Sequence, residues 1–257
     1  MTITDPEILH KIIETQGCVI QGRSLKALFH KNAPFYLDKS GADIITVYMN
    51  EHETVNIEYI LEHHRHFAHL VKKYIYTKKK LAWDTFVKRC ASHFNGSSRY
   101  RILSTMEELF AGLLSHREAQ EFTEELQMQE AVMMPIYAFD PKVRIGYVCF
   151  LYKTKGGIDL ERLESVRVLF QTLLQPLYDT NQSTVYYKCA RVNENMGLLT
   201  EQEKRIVRKV LGGHTYPDIA ETLGISINTL KTHMKHIFNK YNVTSKIELN
   251  NKLSAIP

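Results

Sequence analysis

From Leu198 to Leu253 the sequence alternates helix starts and helix stops so closely that only a cluster of short helices satisfies it. Thr200 with Glu203 three residues on is a capping box. The threonine oxygen accepts from a free backbone N–H, and the glutamate reaches back to the cap. Ile206, Val207, Val210 and Leu211 follow on one face, and Gly212-Gly213 stops the helix. Pro217 suits the first turn of a second helix, where no backbone donor is needed. Ile219, Ala220 and Leu223 form its apolar stripe, and Gly224 ends it. Ser226 then caps a third helix almost at once. Two helices joined by so short a glycine-containing turn are a helix-turn-helix signature.

The third helix separates into two faces. Leu230, Met234, Ile237, Phe238 and Tyr241 lie on one side, and Asn228, Lys231, Thr232, Lys235 and Asn239 on the other. The second face carries ammonium, amide and hydroxyl groups and no carboxylate. Such groups can bond base-edge acceptors in a major groove, whereas a carboxylate facing phosphates is repelled. A solvated helix face is the alternative. Net charge points the same way. The chain carries +5, and from Leu198 onward nine Lys or Arg stand against five Asp or Glu. A positive excess concentrated in one segment suits a phosphate-rich partner.

The segment resembles the LuxR/FixJ/GerE family of bacterial DNA-binding domains. The resemblance is carried by Leu199-Thr200, Glu203, Ile219-Ala220, Leu223, Ile225-Ser226, Thr229-Leu230-Lys231, His233, Ile237, Lys240, Val243 and Glu248, with no gap in spacing. It implies a four-helix domain whose third helix enters the major groove of double-stranded DNA. By position, Ser226, Asn228, Thr229, Lys231, Thr232, Lys235 and Asn239 become the expected DNA-facing set. A fourth helix would begin at Ser245, with Glu248 completing a second capping box. The family often dimerises through this helix, which makes Ile247, Leu249 and Leu253 the expected dimer contacts. The sequence departs from the family at Tyr216-Pro217, where Asn-Lys is usual, so one phosphate-contacting lysine is missing. Gln202 stands where arginine is common, and Arg205 where glutamate is common.

The rest of the chain follows a different pattern. Asp179 to Gly197 is polar, and residues 181–197 read as a linker, with a short extended piece at Val185 to Tyr187. Residues 1–180 then form one domain and 198–257 the other. In the first, Asp43 to Met49 is β-branched and aromatic, and Val55, Ile57, Tyr59 and Leu61 alternate with mostly polar neighbours. Val132 to Phe139 and Val143 to Tyr152 are further strands, joined by a turn at Asp140-Pro141-Lys142. Helical spacing covers about 6–16, 63–77, 81–94, 104–127 and 159–178. Paired strands separated by a helical block imply an α+β domain with helices on an antiparallel sheet. The element order resembles a GAF- or PAS-type sensor domain. The whole is an α+β chain ending in an all-α four-helix domain.

Within residues 1–180, Tyr48, Tyr59, Trp83, Phe86, Tyr147 and Phe150 are candidates to line a small-molecule pocket; packed core is the other reading. His63, His64, His66 and His69 crowd one stretch, and His63, His66 and His69 at helical spacing could ligate a metal. No cysteine or carboxylate cluster supports them, so a solvated face is the better reading and no metal or other cofactor is assigned. The acidic pair, central aspartate and lysine of a phosphoacceptor receiver domain are absent from a repeating β/α pattern. The residue set of an acyl-homoserine-lactone sensor cannot be placed around Trp83. The sequence contains no G-x-S-x-G, P-loop, dinucleotide turn or HExxH, which argues against an enzyme. Cys18, Cys90, Cys149 and Cys189 form no CxxC pair and read as reduced thiols. No apolar run is long enough to cross a bilayer, and the N-terminus does not read as a signal peptide. The expectation is a cytoplasmic, homodimeric, non-membrane regulator of DNA. Its N-terminal domain either senses a signal, with a small-molecule effector possible, or serves only for dimerisation or partner binding.

Overall fold

The computed structural model describes residues 5–51, 54–78, 86, 99–179, 192 and 195–254. The expected helix at 81–94, Trp83, Cys90, Cys189, the extended piece at Val185 to Tyr187 and most of the linker lie outside these residues. The chain divides into two compact units, 1–18 with 26–183 and 19–25 with 184–257.

The first unit is built on one antiparallel sheet of five strands in the order β2-β1-β5-β4-β3. The strands are β1 (Ile44–Glu51), β2 (Thr54–Glu62), β3 (Arg101–Leu103), β4 (Glu130–Tyr137) and β5 (Arg144–Tyr152). β5 lies between β1 and β4, so each hairpin lends one strand to the centre. Tyr48 pairs with Tyr147, and Val47 with both Tyr59 and Val148. Gly146 is required where β5 meets β1, because a Cβ there would stand 2.2 Å from the Tyr48 carbonyl oxygen.

Helices α1 (Pro6–Ile20), α2 (Leu25–Lys31) and α3 (Ala33–Ser40) precede the sheet. α4 (His66–Tyr74), α5 (Met106–Leu109) and α6 (His116–Leu126) interrupt it, and α7 (Leu160–Tyr178) follows it. Phe67, Leu70 and Val71 of α4, Met106 and Leu109 of α5, and Phe122 of α6 share a buried cluster with Ile44, Tyr48, Tyr147 and Cys149 of the sheet. α7 packs on β4, β5 and β1. The mixed sheet-and-helix architecture is the one the sequence leads one to expect.

Some boundaries differ. The stretch 104–127 forms two helices, because Ser115 and Glu118 make a fresh capping box and Gly112 turns at φ 87° before it. β3 was not foreseen; it is a three-residue edge strand with Ile102 exposed, too short for a period. α2 and α3 were also not foreseen.

α7 is fastened to β4 by its polar side chains. Arg167 is buried and forms a two-pronged ion pair with Glu164, at 2.7 and 2.8 Å. It also donates to the Pro135 carbonyl and the Gln171 amide oxygen. Gln171 accepts from the Tyr137 N–H, Gln175 donates to the Tyr137 carbonyl, and buried Asp179 accepts from the Phe139 N–H.

The aromatic candidates do not form one pocket wall. Tyr48 and Tyr147 face the cluster that also holds Phe86. Side chains alternate across a strand, so Phe150, and Tyr59 paired with Val47, point to the opposite face, where Tyr59 meets the Phe29 ring at 4.8 Å. All five are buried as core. The histidines are not a single helical face either. His63 and His64 sit in a bend before α4, Arg65 turns at φ 51°, and only His66 and His69 are helical. All four are exposed. Among the described residues no group of three metal-ligating side chains is assembled. Cys18 and Cys149 are free thiols, and burial pushes the Cys149 thiol up. No helix among the described residues is long and apolar enough to cross a membrane.

Candidate nucleic-acid interface

The second unit carries α8 (Glu201–Leu211), α9 (Tyr216–Leu223), α10 (Ile227–Tyr241) and α11 (Lys246–Ser254). Each starts at a cap written into the sequence. Glu203 closes the first box: it accepts from the Thr200 N–H at 2.8 Å, while its own N–H donates to Thr200 Oγ1. It also accepts from Lys240 Nζ at 2.6 Å, which ties the start of α8 to the end of α10. Burial raises the affinity of this carboxyl for its proton, but Lys240 and the Thr200 donors outweigh burial and hold it below the ordinary glutamate value.

Thr215 and Asp218 form a further box at α9, with Pro217 in the first turn. The helix ends at Gly224, whose φ of 63° is the left-handed conformation that glycine adopts without penalty. Ser226 Oγ accepts from the Thr229 N–H at 3.0 Å and opens α10. At α11 the expected capping box is shifted by one residue. The Glu248 N–H donates to Ser245 Oγ, but the Glu248 carboxylate accepts from the Thr244 N–H at 2.8 Å.

Leu230, Met234, Ile237 and Tyr241 of α10 are buried against Ile206, Val207, Ile219 and Ala220. The expected DNA-facing residues, Ser226, Asn228, Thr229, Lys231, Thr232, Lys235 and Asn239, are all exposed. They fall into two groups. Ser226 and Thr229 bond each other at the cap. Asn228, Lys231, Thr232, Lys235 and Asn239 lie within an arc of about 100°, along roughly 16 Å of helix. Thr232 turns its hydroxyl back onto the Asn228 carbonyl. For Asn228, Lys231, Lys235 and Asn239 no side-chain hydrogen bond or ion pair is made among the described residues. The strip therefore presents two ammonium groups and two carboxamides in a width that a major groove of about 12 Å admits.

The dimer expectation needs correction. Leu249 and Leu253 are four residues apart on α11 and belong to the core of their own domain. Ile247, rotated to the other side, is 74% exposed and is the one of the three free to meet a partner.

Sequence reasoning missed a groove beside the strip. It has a volume of about 370 Å³ and is lined by Tyr216, Lys231, Lys235, Asn239 and Thr244, among others. Lys246 Nζ stands 4.1 Å from the centre of the Tyr216 ring. The departure from family pattern at Tyr216 was the available signal; its distance in sequence from Lys246 concealed the pairing.

A short second helix, a left-handed glycine turn and a third helix with one buried and one unpaired polar face define a helix-turn-helix domain. Residues 197–252 match the family model of bacterial regulatory proteins, luxR family. The likeness to that family lies in the C-terminal helix-turn-helix domain. The oxygen regulatory protein NreC of Staphylococcus carnosus (strain TM300) is 27% identical over 105 residues, which are 38% of this chain and 48% of that protein. The chain thus spans about half the length of this curated relative. Among solved structures, Escherichia coli SdiA aligns over 87% of each chain at 19% identity with a TM-score of 0.39. The bacteriophytochrome RpBphP3 from R. palustris aligns over 91% of this chain and 47% of its own, at 11% identity with a TM-score of 0.43.

Proposed function

We propose that the chain is a sequence-specific, DNA-binding transcriptional regulator that inserts α10 into the major groove and works as a homodimer in the bacterial cytoplasm. The observation that carries this is the strip Asn228, Lys231, Thr232, Lys235 and Asn239, exposed together, with no carboxylate among them. Lysines and amides bond guanine and adenine acceptors, and the lysines also neutralise phosphates. One module of this size makes few base contacts, so pairing two on a two-fold site supplies useful affinity. Exposed Ile247 is available for pairing on α11, and residues 1–180 add the larger share of the interface.

Residues 1–180 regulate the C-terminal domain and are not an enzyme. The α+β architecture, the absence of a catalytic motif and the regulatory description of NreC support this reading. α7 runs into the segment that leads to the DNA-binding domain, which makes it the natural transmitter. An effector shifts the balance between two arrangements only by its differential affinity for them.

Genome-wide mapping of bound DNA tests the reading. The expected result is a set of sites sharing a two-fold symmetric motif; enrichment without a motif counts against sequence-specific binding. A second comparison sets the full chain against residues 190–257 joined to an unrelated dimeriser. Different operator output under some growth condition supports regulation, and identical output under all conditions reduces residues 1–180 to a dimerisation module.

A further inference from the structure

Tyr216 opens α9 and Lys246 opens α11, yet the lysine ammonium stands over the tyrosine ring at 4.1 Å. The negative face of an aromatic ring holds a cation there. Stacking restrains a side chain that is otherwise among the most mobile in a protein, and Lys246 makes no ion pair among the described residues. Tyr216 is half-buried, and burial raises its phenol above the ordinary value.

The same tyrosine lines the groove that holds Lys231, Lys235, Asn239 and Thr244. Two ammonium groups, those of Lys231 and Lys235, therefore line a groove shared with the exposed face of α10, and a third, that of Lys246, stands over the Tyr216 ring that forms part of its wall. Two carboxylates of the flanking helices are held by hydroxyl and amide donors, and Glu221 of α9 makes no ion pair among the described residues. Asp218 accepts from the Thr215 amide and hydroxyl, and Glu248 from those of Thr244. Lys231, Lys235 and Lys246 make no ion pair among the described residues, and cations set along a groove fit a linear polyanion. A helix seated in a major groove has a sugar-phosphate strand running along its flank.

We propose that Tyr216 and Lys246 form a phosphate clamp, with the Lys246 ammonium and the Tyr216 hydroxyl donating to the DNA backbone beside the groove that α10 enters. The inference rests on the DNA-binding reading of α10. The clamp positions the domain and does not read bases.

The test uses the full chain and poly(dI–dC), a duplex with phosphates but no operator, and follows affinity across a range of salt concentrations. Lys246→Gln is expected to weaken binding and flatten the dependence of log affinity on log salt by about one unit. Lys246→Arg restores the slope. Tyr216→Phe keeps the platform and gives a smaller loss. Tyr216→Ala, checked for folding by circular dichroism, approaches Lys246→Gln. An unchanged slope in Lys246→Gln, with Lys231→Ala/Lys235→Ala weakened, overturns the clamp alone. If the double variant also binds like wild type, the reading of α10 falls with it.

Discussion

Helices α7 and α10 are both amphipathic, but they use their polar residues in opposite ways. On α7, Arg167, Glu164, Gln171 and Gln175 close on one another and on the backbone of β4. On α10, Asn228, Lys231, Lys235 and Asn239 are left open to solvent. Internal pairing makes a polar group part of the fold, and its loss leaves a buried partner unsatisfied. An exposed, unpaired group adds little to stability, and on the proposed reading its arrangement with others like it serves a partner. On that reading the contrast separates residues that hold the chain together from residues that act on something else.

The largest effect breaks the buried side of α10. Leu230→Ala removes a fully buried side chain and should destabilise the C-terminal domain by roughly 2–5 kcal/mol, read as a lowered thermal or urea midpoint. Arg167→Ala should cost the N-terminal domain about 1–3 kcal/mol, because half-buried Glu164 and the Pro135 carbonyl lose their partner. Its folded fraction should bind poly(dI–dC) like wild type. Lys235→Ala is the mirror image: stability within about 0.5 kcal/mol of wild type, and operator affinity lowered by about 1–3 kcal/mol if the lysine reads a base. A stability loss in Lys235→Ala comparable to that of Arg167→Ala would erase the contrast. Thr200→Ala should cost about 1 kcal/mol through the lost cap of α8.

The smallest effect is set by pH. The Glu203 carboxyl is held below its ordinary value in the folded chain. Its contribution is complete above the unfolded value, roughly pH 4, and is lost as pH falls through the folded value. Thermal melts of wild type should decline through that acid window. Glu203→Gln should flatten the part of the decline that belongs to the C-terminal domain.

The two domains were unequally legible in the sequence. The caps at Thr200 and Ser226, the stop at Gly224 and the two faces of α10 involve residues a few positions apart, so local spacing discloses them. The sheet is set by partners far apart: Tyr48 pairs with Tyr147, and Leu103 with Ala131. Strand segments could be recognised, but not the order that puts β5 at the centre. The described pocket candidates divide between the two faces of the sheet for the same reason. Tyr59 and Phe150 lie across the sheet from Tyr48 and Tyr147, a fact of register and parity. Leu249 and Leu253 show the limit within the legible domain. An apolar stripe marks a face that is buried, and in α11 it is covered by the domain's own core. The contact of Lys246 with the Tyr216 ring likewise joins residues brought together only by folding.

The central claim is that the open polar face of α10 grips DNA. The most direct measurement is the salt-dependent affinity of wild type and of Lys231→Ala/Lys235→Ala for a mapped operator and for a scrambled duplex. Wild type should prefer the operator and lose affinity steeply with salt. The folded double variant should lose both the preference and part of the salt slope. Equal affinities for wild type and a folded double variant, on both duplexes at every salt concentration, would contradict the account.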